Sequence, residues 1–389
     1  MSALTPRVRF DRHELSGAFG DIGTDLPLLI ALVATCKLDA AGVCLMFGLL
    51  QMASGALYGI PMPVQPLKAM AAIMLAQKLS PGTLAGGGLV IGVAMLLLAA
   101  TGLLDWLARV VPKEVVRGIQ LGLGLTLATL ALKYVGTDGA PGYVLAAVCL
   151  AVLLVLRGHR RIPAPLLVMG FGVLYALVQL RGHSLAGVVG LRLPTFHAPT
   201  RVEITQGALL LALPQIPLSL GNSVIATSQT TRDLFPDRAV SVRKIGVTYG
   251  LMNLVAPWFG GVPVCHGCGG LVGFHGFGGR TGGAPMIYGA MYVVLGLAFA
   301  PGFSEVVRVF PMPVLGVVLL FEALSLMTLV RDVATERSTL WVAAGVAAAV
   351  VGLPYGYLVG LVFGTLVVLG VRRGLVKLGD PVNPPPPAG

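Results

Sequence analysis

Apolar residues in this chain run in long blocks, each broken only by short clusters of Gly, Pro and charge. The blocks are long enough to cross a bilayer as helices, which takes about 20 residues, and they lack the alternating ten-residue period of outer-membrane strands. Punctuated by those clusters, the pattern predicts helices near 15–36, 41–59, 61–78, 84–104, 114–133, 142–157, 162–180, 204–228, 245–259, 262–276, 284–300, 310–328, 339–353 and 355–371. The expected fold is an all-α integral membrane protein with 14 transmembrane segments.

Composition excludes the soluble alternative. Of 389 residues, 56% are hydrophobic and 11% charged, with a mean hydropathy of +0.88, whereas roughly a quarter of a soluble domain is charged. A formal charge of +11 would suggest nucleic acid as partner in a soluble protein. Here the basic residues sit between apolar blocks, so they orient the chain in the lipid bilayer and no nucleic-acid partner is expected. With a cytoplasmic N-terminus, 19 basic residues, from Arg7 to Lys377, fall on the inner side, 7 on the outer, and Lys68 alone inside a span. Both termini are therefore expected in the cytoplasm of a bacterial-type (inner) membrane protein. Arg7, Arg9 and Arg12 precede a polar first span that reads as retained rather than as a cleaved leader. The five cysteines give no disulfide framework.

The longest hydrophilic connection, about 181–203, divides the spans seven plus seven, and an odd number obliges the second half to enter from the opposite face, as in inverted-repeat transporters. An echo supports this: Pro61-Met62-Pro63-Val64-Gln65-Pro66 and Gly261-Val262-Pro263-Val264-Cys265-His266 each open the third span of their half. The expected organisation is a cytoplasmic 1–14, a first repeat at 15–180, an extracytoplasmic linker at 181–203, a second repeat at 204–371 and a disordered Pro-rich tail at 372–389.

Proline-rich openings cannot hydrogen-bond as helix, so spans three and ten should run extended, as short strands, before starting half-helices near the bilayer centre. Free N–H groups and the positive dipole end there favour an anion. Lys68 lies in such an opening, and an ammonium in a span needs a reason: it binds an anionic substrate, or it pairs with Asp21 or Asp25 of span one. Span one carries Gly17, Gly20, Asp21, Gly23, Thr24, Asp25 and Pro27; span eight carries Pro214, Gln215, Pro217, Ser219, Gly221, Asn222 and Ser223. Singly, such hydroxyls and amides serve interhelical bonding; facing one midplane pocket, they form a site. Cys265-His266-Gly267-Cys268 invites a metal, but the spacing suits tetrahedral ligation poorly and no second Cys/His cluster completes four ligands, so no metal and no cofactor are expected. His266 could donate to an oxyanion or carry a coupling proton, with a satisfied buried histidine as the alternative. The loop Gly278–Gly283 lacks the Lys-Ser/Thr ending of a phosphate cradle. No nucleophile, base and orienting group come together, so no enzyme is expected.

Five stretches together resemble the MOT1 molybdate transporters, a branch allied to the sulfate permease superfamily. They are Phe19–Leu28, Pro61–Ala69, Val115–Gly122, Leu213–Ser223, and Pro263–Gly267 with Arg280-Thr281-Gly282. The resemblance implies a seven-plus-seven, UraA/SLC26-like inverted repeat. Its core domain (spans one to four and eight to eleven) moves against a gate domain (five to seven and twelve to fourteen). Sulfate permeases typically add a cytoplasmic STAS domain; this chain stops just after span fourteen, as the molybdate branch does. Cys268 departs from the small residue, such as Ala or Ser, found in relatives. The implied function is a secondary transporter importing molybdate, with tungstate or sulfate as related substrates and a homodimer as assembly. A sulfate or other oxyanion carrier of the same fold, and an anion channel using the same pocket, remain the alternatives. The anion would sit between Gln65, Leu67 and Lys68 on one side and Cys265, His266, Gly267 and Cys268 on the other. Thr24, Gln215, Ser219 and Asn222 would supply hydrogen bonds, and Asp21, Asp25 or His266 the coupling proton.

Overall fold

The computed structural model describes residues 8–104, 106, 112–156, 164–180 and 189–375, with the side chains at 23, 165, 166, 221, 222 and 322 excepted. The first seven residues, 181–188 of the expected linker and the proline tail from 376 lie outside the described residues, as does the side chain of Asn222. The first half reads α1 (Arg12–Ala18), α2 (Ile22–Cys36), α3 (Ala40–Tyr58), β1 (Gln65–Pro66), α4 (Lys68–Gln77), α5 (Pro81–Thr101), α6 (Lys113–Val135), α7 (Gly139–Val155) and α8 (Ala164–Gln179). The second reads α9 (Arg201–Gln206), α10 (Leu213–Leu218), α11 (Ala226–Leu234), α12 (Val242–Val255), β2 (Val264–Cys265), α13 (Cys268–Gly276), α14 (Gly283–Ala298), α15 (Ala300–Arg308), α16 (Met312–Thr328), α17 (Arg337–Gly352) and α18 (Gly356–Arg372).

The fold is mostly helical and spans the membrane repeatedly, but its helices are not the uniform rods the apolar blocks suggest. Among the described residues four single helices are long and apolar enough to cross: Ala40–Tyr58, Pro81–Thr101, Lys113–Val135 and Met312–Val333. Two more crossings form if each of two bent pairs counts as one span, and five further apolar helices have 10–17 residues. Each departure has a local cause. Span one breaks at Phe19–Asp21, where glycine and a short polar side chain separate α1 from α2. Span eight stays helical across Arg201–Leu234 but loosens into π-helix at Gly207–Ala212 and Ser219–Ile225, and it bends by 50°. Pro214 and Pro217 remove two backbone donors there. After α14 the chain turns by 91° into α15, at the end of the predicted 284–300 span, and α15 itself is a helix the apolar pattern does not predict.

Glycine permits close helix contact. α3 lies against α14, and a side chain on Gly48 would strike the Gly289 carbonyl, as one on Gly289 would strike that of Gly48. Without Cβ atoms the two backbones touch. Elsewhere α5 packs on α12, while α6 packs on both α16 and α17. The half-helix α4 lies against α2 and α6. The described part of the linker is laid over helix ends: Gly190 and Arg192 donate to the carbonyls of Ala298 and Leu297 (3.0 Å each), and Phe196 stacks on Trp258.

On the N-terminal side the fully buried Glu14 of α1 clasps the start of α14. Its Oε1 accepts the N–H groups of Arg280 and Thr281, and Oε2 that of Ala284, each at 3.0 Å. A carboxylate is the favoured group at a helix N-terminus. Glu14→Ala leaves three amides without that acceptor, at about 1–3 kcal/mol for each one kept from water. The expected result is a lower unfolding midpoint by differential scanning fluorimetry in detergent; an unchanged midpoint would show that the clasp contributes nothing.

Candidate anion-binding site

The two proline-broken segments meet as the smallest possible sheet. β1 and β2 pair antiparallel with Gln65 opposite Cys265 and Pro66 opposite Val264, and Leu67 donates its N–H to Pro263 O (2.9 Å). Two amide side chains hold this ribbon in place, neither of them singled out by the sequence. Gln51 of α3 donates to Val64 O (2.7 Å) and accepts from Val64 N (3.1 Å). Asn253 of α12 donates to Val264 O (2.6 Å) and to Tyr249 O (2.8 Å) and accepts from Val264 N (2.8 Å). Each clamp satisfies both backbone groups of a residue that has left the helical ladder, which the absence of water in the membrane interior demands.

Both half-helices start beside one cavity of about 260 Å³. The ribbon and α4 contribute Gln65, Pro66, Lys68 and Ala69, and the α13 side contributes Cys265, Gly267, Cys268 and Gly269. Gln215, Leu218 and Ser223 come from span eight, Gln120 and Leu123 from α6, and Ser325, Leu326 and Leu329 from α16 and the turn after it.

The two helix starts are not equivalent. Gln215 Oε1 accepts the N–H groups of Ala69 (3.1 Å) and Met70 (3.3 Å), so a neutral amide already occupies the first turn of α4. Gln215 is fixed in turn by its Nε2, which donates to Ser219 Oγ (3.1 Å), and Ser219 shares a bond with Tyr249 OH (2.8 Å). α13 begins at Gly267 in extended conformation with no side-chain cap. A side chain at Gly269 would meet nothing within 4 Å, so open space adjoins that turn. The symmetric pair of bare amide ends expected from sequence is thus an asymmetric one: the α4 end is filled and the α13 end faces the cavity.

The remaining expected ligands sort by where their polar atoms are spent. Gln65 lines the cavity, yet its Nε2 donates to both carboxylate oxygens of Asp21 (2.7 and 2.8 Å), leaving only the acceptor Oε1, which lies against Gly267. Asp21 and Asp25 are buried, and the Asp21 carboxylate rests against Gly270 in the first turn of α13. Lys68, Cys265, Gly267 and Cys268 border the cavity. Thr24, Leu67 and Ser219 are not among the residues that line it. His266 also stands outside it. Its Nδ1 donates to Pro63 O (2.8 Å), its Nε2 meets Thr248 Oγ1 (2.9 Å), and its ring packs edge-on against Tyr58. Both ring nitrogens have partners in this arrangement, as a satisfied buried histidine would, and neither meets the cavity. Ser223, named with the polar residues of span eight, lines the cavity, as do Gln120 and Ser325, which sequence reasoning did not single out. Gln120, a single amide among apolar neighbours in span five, carried the visible signal.

The fold is that of a transmembrane anion-transporter domain. The chain superposes on the transmembrane domain of a cyanobacterium bicarbonate transporter, BicA, with a TM-score of 0.67 and 15% identity, covering 91% of this chain and 97% of that one. It matches murine Slc26a9, an anion transporter in the inward-facing state, with a TM-score of 0.70 and 14% identity over 92% and 68% of the two chains. The family model described as "Molybdate transporter of MFS superfamily" matches residues 13–127 and 207–326, and the chain belongs to this molybdate transporter family. Two Arabidopsis thaliana relatives, Molybdate transporter 1 and Molybdate transporter 2, are 32% and 33% identical over 375 and 376 residues, covering 83% and 84% of this chain and 80% of each relative. The protein is a multi-pass membrane transporter, not an enzyme.

Proposed function

We propose that the chain imports molybdate across a bacterial-type cytoplasmic membrane as a secondary active transporter working by alternating access. One observation carries this reading: the uncapped start of α13 opens onto a cavity that the Lys68 ammonium also borders, within a chain of the molybdate transporter family. Backbone N–H groups at a helix start match a tetrahedral oxyanion, and neutral donors replace hydration without holding the ion too tightly to leave. The anion would rest on the amides of Cys268 and Gly269, near Lys68 and Cys265.

The chain in this reading is built of two inverted seven-span repeats. In support, contacts recur between elements that such a repeat would interchange: α3 with α14 and α5 with α12, then α6 with α17 and α16 with α7. A core of spans one to four and eight to eleven would slide against a gate of five to seven and twelve to fourteen, with the cavity at their boundary, both termini in the cytoplasm and a homodimer as the assembly. Inward movement of a dianion against a negative interior costs about 4.6 kcal/mol per 100 mV, which a coupled proton offsets. Asp21 is the coupling residue of this proposal, because protonating one carboxylate oxygen removes one of the two acceptors that hold Gln65 Nε2.

Purified protein in vesicles tests the reading. Saturable uptake of molybdate, competed by tungstate more than by sulfate and accelerated by an inward proton gradient, is the expected outcome. Preference for sulfate would make the protein another oxyanion carrier of the same fold, and single-channel currents would make it a channel. Loss of the gradient effect alone in Asp21→Asn is expected, and its persistence would remove Asp21 from the coupling role.

A further inference from the structure

The cavity wall formed by α6 holds one amide whose bonding is half complete. Gln120 is fully buried and borders the cavity. Its Oε1 accepts from Arg117 Nη1 at 2.9 Å, while its Nε2 has no hydrogen-bond partner among the described residues. The orientation is dictated, since a guanidinium can only donate and so must face the amide oxygen. Arg117 is itself fixed from the other side by an ion pair with Asp332, which follows α16. The Asp332–Arg117–Gln120 chain therefore leaves an N–H2 group without an acceptor among the described residues, on a residue that lines the cavity.

A buried donor left without a partner costs about 1–3 kcal/mol, and such groups call for a specific explanation such as a bound ligand. The group here is a neutral donor, and the cavity it borders already carries the open turn of α13 and the Lys68 ammonium. An anion is the species that meets both this donor and the open turn of α13. We propose that Gln120 is a ligand of the transported oxyanion, supplying through Nε2 a hydrogen bond from α6 opposite those from α13, and that Arg117 is the positioning residue that keeps the donor rather than the acceptor toward the site. This rests on the molybdate reading of the cavity and adds to it a contact from a different helical layer. An oxyanion held by α13 and α6 together draws the two layers against each other, so substrate occupancy and closure of the cavity are linked through this residue.

The test is isothermal titration of the full-length protein in detergent with sodium molybdate, comparing wild type with Gln120→Leu, Gln120→Glu and Arg117→Lys. Expected is a Kd raised about tenfold in Gln120→Leu, the value of one good hydrogen bond. Gln120→Glu keeps an acceptor for Arg117 and so keeps the fold, but it presents a carboxylate to the anion, and binding should fall at least a hundredfold. Arg117→Lys holds the charge constant while loosening the amide; its expected several-fold loss of affinity should vanish in the Gln120→Leu background, which a purely structural role of Arg117 would not produce. If Gln120→Leu does not fold, Gln120→Glu and Gln120→Asn decide, the shorter amide weakening binding while the unfolding midpoint holds. Wild-type affinity in folded Gln120 variants overturns the proposal and leaves the molybdate reading standing, as it would if Nε2 is satisfied by a bound water. A wild-type protein that binds sulfate instead is titrated with sulfate, and the same comparison applies. Failure of wild type to bind any tetrahedral oxyanion overturns both.

Discussion

Replacing Gln215 by Glu is expected to leave the protein folded and to abolish anion uptake, whereas Gln215→Leu is expected to weaken the fold itself. Gln215 Oε1 accepts two first-turn N–H groups of α4, and a carboxylate accepts the same bonds, more strongly because it is charged. Leucine accepts none, leaving two buried amides unpaired at about 1–3 kcal/mol each. The Glu variant instead places a full negative charge in the cavity wall. At about 5 Å and an effective dielectric near 20, that charge repels each unit of anion charge by about 3 kcal/mol, enough to cut dianion binding more than a hundredfold. Thermal unfolding and vesicle uptake on both variants separate the two effects. Wild-type uptake by Gln215→Glu would show that the anion does not pass this wall.

A second large effect is expected at Asn253, which the protein uses to hold Val264 by both backbone groups. Asn253→Ala strands a buried N–H and a buried C=O in a region that offers no water, and it removes a third bond, to Tyr249 O. The loss is about 1–3 kcal/mol for each stranded group. The pairing of Gln65 with Cys265 depends on this residue and on Gln51, so molybdate affinity should fall together with the unfolding midpoint. Asn253→Asp, able to accept from Val264 N but not to donate to Val264 O, should fall between. A normal midpoint in Asn253→Ala would mean that the ribbon is held by its own pairing alone.

Much of the architecture was legible in the chain because membranes leave few options. Apolar blocks of helical length could only be spans, and Pro61, Pro63, Pro66 and Pro263 could only interrupt them, so the extended segments and the half-helices behind them follow from proline's missing donor. What hydropathy could not show is geometry set by few residues. The helix α15 after the corner lies where no span is predicted, and the break at Phe19–Asp21 needs no proline. The site was readable as a set of polar residues near two broken helices, but not as a bonding pattern. Gln215, Gln65 and His266 were chosen for what their side chains can donate; the fold spends Gln215 on α4, Gln65 on Asp21 and His266 on Pro63 and Thr248. Gln51 and Asn253 escaped notice because their partners are 13 and 11 residues away across a turn, at no helical spacing.

The two clamps also tie bodies together. Because Val64 is bonded to α3 and Val264 to α12, the paired strands behave as a crossbar bolted at each end to a helical strut. In the alternating-access cycle proposed above, struts and crossbar would travel as one frame, and probes placed on α3 and on the ribbon should keep a constant separation throughout the cycle.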